Sequence, residues 1–65
     1  MTITQLKYVL AVAEHKNFTL AAEKCFVTQP TLSMQIQKIE EELNIQIFDK
    51  TKKPIQLTDI GLKIV

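Results

Sequence analysis

Ile3, Leu6, Val9, Leu10 and Ala13 recur at steps of three and four, while Lys7, Glu14 and Lys16 fall largely off that line. This spacing predicts an amphipathic helix with one apolar stripe. Thr2 and Gln5 have the spacing of a capping box at its start: the threonine oxygen can accept from the third backbone N–H, and the glutamine can reach back. His15, Lys16 and Asn17 mark its end, where cations suit the negative pole of the helix dipole. Thr19 is the expected cap of a short second helix from Leu20 to about Cys25. Leu20, Ala21 and Cys25 then share a face, and the small Ala21 and Ala22 admit a neighbouring helix closely.

The third helix has the clearest period. Leu32, Ile36, Ile39 and Leu43 follow at steps of four, three and four, so they stack on one side. Thr28 is its expected cap, and Pro30 falls in the first turn, where a missing N–H costs nothing. At about 100° per residue, Pro30, Met34, Gln37 and Glu41 point away from the apolar side. Thr31 and Lys38 lie on one shoulder of that outer face and Ser33 on the other. Asn44 can end the helix in the left-handed conformation.

From Ile45 the period changes. Ile47-Phe48-Asp49-Lys50 and Pro54-Ile55-Gln56-Leu57 predict a short hairpin around Thr51-Lys52-Lys53, with weak pairing because Pro54 has no N–H to donate. Thr58 is the expected cap of a last helix beginning at Asp59, with Ile60, Ile64 and Val65 on one face. The apolar pattern is still running at Val65, which predicts a longer protein.

The expected architecture is therefore mainly α: a three-helix core, a short two-stranded wing and the start of a further helix. A short helix, a tight turn and a longer helix that is capped at its start and polar outside form the helix-turn-helix arrangement, which places its second helix in the major groove of DNA. Residues 1–58 are expected to form this winged helix-turn-helix domain, with the helix-turn-helix at about 18–37, and residues 59–65 to begin a linker helix.

Composition narrows the function. The chain has 65 residues, nearly half of them hydrophobic, with one glycine and two prolines, as expected of one small folded domain. Cys25 is its only cysteine, which excludes an internal disulfide and fits a reducing compartment. Met1-Thr2-Ile3-Thr4 leads straight into the first amphipathic segment, with no basic-then-apolar leader. The longest apolar run is far below the roughly 18 residues of a membrane span. A cytoplasmic protein with no membrane contact is expected. The net charge is only +1, and all eight basic residues are lysine. The bidentate arginine–guanine contact is therefore unavailable, and base reading falls to Gln, Thr, Ser or apolar contact.

The run Phe18-Thr19-Leu20-Ala21-Ala22, then Val27-Thr28-Gln29-Pro30-Thr31-Leu32-Ser33, Gln35-Ile36, Ile39-Glu40, Leu43, Ile47-Phe48-Asp49-Lys50, Leu57-Thr58 and Gly61 resembles the N-terminal domain of LysR-type transcriptional regulators. The resemblance covers the whole chain without a gap. Ala13-Glu14-His15, Cys25, Val27, Gln29 to Ser33 and Gln35-Ile36 look most like the peroxide-sensing OxyR-type branch. Met34 stands where many members carry arginine, Asn44 where glycine is common, and Lys50 where the wing commonly has arginine. The resemblance implies sequence-specific binding of double-stranded DNA, with two subunits paired through the linker helix to read an interrupted inverted repeat. Gln29 is the expected adenine reader, since its amide both donates and accepts. Pro30 and Met34 are placed against thymine methyls, and Thr31, Ser33 and Gln37 on the same face. Thr19 and Thr28, with the free N–H groups of the helices they cap, suit phosphate oxygens. Lys38, Lys52 and Lys53 are expected on backbone phosphates.

Several features have plainer readings. Cys25, beside two alanines, reads as a small buried thiol rather than a redox centre. His15 reads as a helix-end cation. Glu40, Glu41 and Glu42 read as solvated faces, with Glu40 tied into the domain. No cofactor, metal or catalytic residue is expected: Cys25 and His15 lack a third orienting group, and there is no Gly-rich phosphate loop. The alternative function is a winged helix that binds protein instead of DNA, for which the exposed Met34 is the one supporting residue.

Overall fold

The computed structural model describes residues 1–52 and 54–64, with Ile64 described by its backbone alone. Helix α1 spans Ile3–His15, α2 Phe18–Lys24 and α3 Gln29–Leu43; strands β1 (Phe48–Asp49) and β2 (Gln56–Leu57) follow, then α4 (Asp59–Ile64). Lys53 in the expected turn and Val65 lie outside the described residues, as does the side chain of Ile64.

Each helix starts where a side chain can satisfy its free N–H groups. Thr2 and Gln5 form the expected capping box, each side chain accepting from the other's backbone N–H at 3.0 Å. Gln5 also donates from Nε2 to Gln35 Oε1 at 3.3 Å, which fastens the first turn of α1 to α3. The second helix departs from expectation. Asn17, not Thr19, caps it, with Oδ1 accepting from Leu20 N–H at 2.9 Å. Asparagine is at least as good a cap as threonine, and its use starts the helix two residues early, which leaves Thr19 inside the first turn.

The three helices surround a core of Val9, Val12, Ala21, Ala22, Leu32, Ile36 and Ile39, closed by Ile47 and Phe48. The near-zero exposure of both alanines is what close approach of helices to α2 requires. In α1 the buried residues are Val9 and Val12, while Ile3, Leu6 and Leu10 of the expected stripe are exposed. The apolar arc of α1 is wider than the face its neighbours can cover. Leu10 sits about 160° around the helix from Val12, so both cannot face the same core. Leu20 is likewise exposed, and Leu43 is 42% exposed at the far end of α3, where the core has run out.

The wing is shorter than its pattern. Phe48 pairs with Leu57 and Asp49 with Gln56, antiparallel, and Pro54 lies outside the ladder. Its first strand is set by α3. Glu40 Oε2 accepts from Ile47 N–H at 2.8 Å and from Phe48 N–H at 3.3 Å. The Phe18 ring meets Phe48 edge-on, with centroids 6.1 Å apart. Asp49 accepts from the Thr51 hydroxyl and, at 3.0 Å, from its N–H. Those two bonds hold its carboxyl below the usual aspartate value.

Helix α4 is tied to the same stretch of chain. Thr58 Oγ1 accepts from Gly61 N–H at 3.0 Å, the expected cap, and also donates to the carbonyls of Gln46 and Ile47. Thr58 N–H bonds Ile47 O at 2.9 Å. Gly61, the chain's only glycine, is required by this approach: a Cβ there would lie 2.3 Å from Ile47 O.

Glu40 thus accepts from two backbone donors at the start of the wing. Glu40→Ala is expected to destabilise the domain by about 2 kcal/mol, since unpaired part-buried N–H groups keep their full desolvation cost. The midpoint of thermal unfolding should fall by roughly 10 °C. Glu40→Gln, whose amide oxygen can still accept, should keep most of the stability; equal loss in both variants would mean that the carboxylate's charge, not its acceptor role, matters.

Candidate nucleic-acid interface

Burial of Leu32, Ile36 and Ile39 turns the opposite side of α3 outward. Pro30, Met34, Gln37, Lys38 and Glu41 are exposed, as expected. Gln29, Thr31 and Ser33 are half-buried, because they bond to neighbours on their own helix. Gln29 Nε2 donates to Ser33 Oγ at 2.6 Å. The Thr28 hydroxyl donates to Thr31 Oγ1 at 2.9 Å and accepts from Thr31 N–H at 3.4 Å. Thr28 is the cap the sequence indicates, with Pro30 in the first turn.

Charge divides this face in two. The first turn of α3 contains no acidic residue, so the positive pole of the helix is uncompensated there. Farther along, Gln37 donates to Glu41 Oε1 at 3.3 Å. Gln37, Glu41, Asn44 and Lys50 line a shallow depression between the helix and the wing. Carboxylates at this end disfavour phosphate, and the first half of the helix carries none.

Of the other expected site residues, Thr19 is exposed in α2 but does not cap it; the Leu20 N–H at that helix start is taken by Asn17. Lys52 is exposed in the wing turn. Lys50 stands with Nζ 5.5 Å from the centroid of the Phe18 ring, a cation–π distance. It anchors the wing to the start of the helix-turn-helix, a role the sequence did not reveal because the two residues are far apart in the chain. Cys25 is half-buried at the end of α2.

The turn between α2 and α3 holds one unforeseen feature. Val27 N–H bonds Ala22 O at 3.0 Å and Phe26 N–H bonds Glu23 O at 3.1 Å, the bonding of a Schellman motif. Its left-handed residue is Phe26, at φ 59°, with 94% of its surface exposed. Glycine or asparagine is usual at such a position, so no local signal marks Phe26 as left-handed. The third helix ends in the same pattern with Asn44, as its residue type suggests.

Helix, Schellman turn, capped second helix and two-stranded wing define a winged helix-turn-helix. A family model described as bacterial regulatory helix-turn-helix protein, lysR family, matches residues 3–62. The chain belongs to that LysR family. It is 45% identical, over all 65 residues, to a hydrogen peroxide-inducible genes activator of Pectobacterium carotovorum, and spans 22% of that relative's length. Among solved structures it is similar to the DNA-binding domain of BenM, a regulator of Acinetobacter baylyi, in complex with benA site 1 DNA. The TM-score is 0.95 at 42% identity, over 98% of this chain and 72% of that one. It is also similar to a full-length OxyR variant of Pseudomonas aeruginosa, with a TM-score of 0.93 at 45% identity, over 100% of this chain and 22% of that one.

A bulky residue in the left-handed region costs about 1–2 kcal/mol, and asparagine much less. Phe26 buries almost nothing that would offset this. Phe26→Asn is therefore expected to stabilise the domain, raising the unfolding midpoint by several degrees in a thermal melt. An unchanged or lowered midpoint would show that the exposed ring contributes to folding.

Proposed function

We propose that this domain binds double-stranded DNA in a sequence-specific way, as the DNA-binding part of a LysR-type transcriptional regulator, with the first half of α3 in the major groove. The observation that carries this reading is the division of the outer face of α3: its capped, carboxylate-free half carries neutral hydrogen-bonding and apolar groups, and its acids are held beyond it. Gln29 reads an adenine edge, Pro30 and Met34 meet thymine methyls, and Thr31, Ser33 and Gln37 line the same groove. Thr28 with the N–H groups it leaves free, Thr19, Lys38 and Lys52 face phosphates. Lys53, outside the described residues, joins them by its place in the sequence beside Lys52.

With a net charge of +1, one domain gains little from counterion release. Two copies therefore act together, paired through the helix that α4 begins, on an interrupted inverted repeat. The domain acts by binding, without a catalytic step. No described helix is long and apolar enough to cross a membrane, and the cytoplasm, where the DNA is, is its proposed site of action. The likeness to a peroxide-inducible activator supports an oxidant-responsive parent regulator. With one cysteine among these residues, no disulfide switch can close within the domain itself, so oxidant sensing would be served by other parts of that regulator.

Selection of bound sites from random duplexes, with the regulator at fixed salt, identifies the preferred sequence. Against that sequence Gln29→Ala should lose about 1–3 kcal/mol of binding, while Lys52→Ala should weaken binding to all duplexes alike and lower the salt slope by about 1. Unchanged binding by Gln29→Ala would remove it as a reader. Salt-insensitive capture of a protein partner, with no shift of any duplex, would favour the protein-binding alternative, for which the exposed Met34 speaks.

A further inference from the structure

We propose that Ser33 is a positioning residue that decides which purine Gln29 accepts. The inference rests on the reading of α3 as the groove helix and goes beyond it, because it concerns the direction of the Gln29 amide. A glutamine amide has two faces of opposite character: an oxygen that accepts and a nitrogen that donates twice. Turned one way, it offers a duplex an acceptor and a donor. Turned the other way, it offers two donors. Adenine presents a donor at N6 beside the acceptor N7, whereas guanine presents two acceptors, O6 and N7. The two orientations of one side chain therefore select different bases.

In this structure the orientation is fixed. Gln29 Nε2 donates to Ser33 Oγ at 2.6 Å, one helical turn along the same edge of α3. Ser33 Oγ is the acceptor in this bond, so it takes the nitrogen side of the amide. One N–H of Gln29 is spent on Ser33; Oε1 and the second N–H remain for the duplex. That pair matches adenine and leaves one acceptor of guanine without a donor. Both residues are half-buried, which shields the bond from competing water.

The test compares affinities of the regulator for duplexes carrying each of the four base pairs at every position of its selected site. The position read by Gln29 is the one whose preference collapses in Gln29→Ala. At that position the wild type should favour adenine over guanine by about tenfold or more. Ser33→Ala should reduce this ratio to within about threefold and leave preferences elsewhere unchanged. Ser33→Thr, which keeps the hydroxyl, should restore it. The double variant Gln29→Ala/Ser33→Ala should match Gln29→Ala alone at that position. A retained adenine preference in Ser33→Ala overturns the proposal, as does an equal loss at all positions, which is what a phosphate contact or a folding defect would give. If Gln29→Ala changes no position, the base-reading role itself fails; if it changes one and Ser33→Ala does not, only the positioning role does.

Discussion

Burial of Leu32, Ile36 and Ile39 is the constraint on which the rest of the molecule depends. All three have no exposed surface, and each fully buried aliphatic side chain contributes about 1.5–3 kcal/mol. Turning α3 by one residue's rotation would expose part of this set and drive Gln37 inward without a partner. No single surface contact in the domain is worth enough to compensate for that. The rotation of α3 is therefore decided from within, and its outer face is fixed before any ligand is present. Ala21 and Ala22 make the arrangement possible from the other side, because larger residues there would hold α2 away from this core.

Ile47 carries the geometry of α3 to the remainder of the chain. Its N–H is held by Glu40 of α3, and its carbonyl accepts from Thr58 at the start of α4. Its side chain is fully buried. One residue thus records where α3 lies and passes that position to the wing and to α4. Gly61 is the consequence, since its backbone touches the same carbonyl and leaves no room for a Cβ. Phe18 adds a second tie, edge-on to Phe48 and under Lys50, so the base of the wing is referenced to both helices of the helix-turn-helix. A wing placed this way keeps a set distance from α3.

Features that depend on neighbours in sequence were legible in it. The Thr2–Gln5 box, the Thr28 cap, the Pro30 turn, the Asn44 terminus and the buried series of α3 all follow from local spacing, and the LysR family was recognisable from its motif residues. Features that depend on competition were not. Asn17 and Thr19 are both competent caps, and only the path of the chain decides between them. The stripe of α1 misled because Ile3, at 78% exposure, belongs to an apolar arc wider than the available partner surface. Phe26 gave no sign of its left-handed backbone, because its residue type argues against it. At the candidate site, the sequence placed the outward residues Pro30, Met34 and Gln37 correctly. It could not show that Gln29 and Ser33 engage one another, which needs the side-chain geometry of a formed helix edge.

That engagement bears on how so weakly charged a domain can be selective. With lysines nearly matched by acids and no arginine, electrostatic attraction gives neither strong binding nor bidentate recognition. Discrimination must come from neutral groups, whose hydrogen bonds are worth little unless both partners are already oriented. A free glutamine loses about 1.5–2 kcal/mol of rotamer entropy when it is immobilised, comparable to the whole gain from one net hydrogen bond. A glutamine already held by its neighbour has met much of that cost during folding. On the proposed reading, the bond between Gln29 and Ser33 would act on affinity and base choice together, and would offset the absence of a cation at Met34.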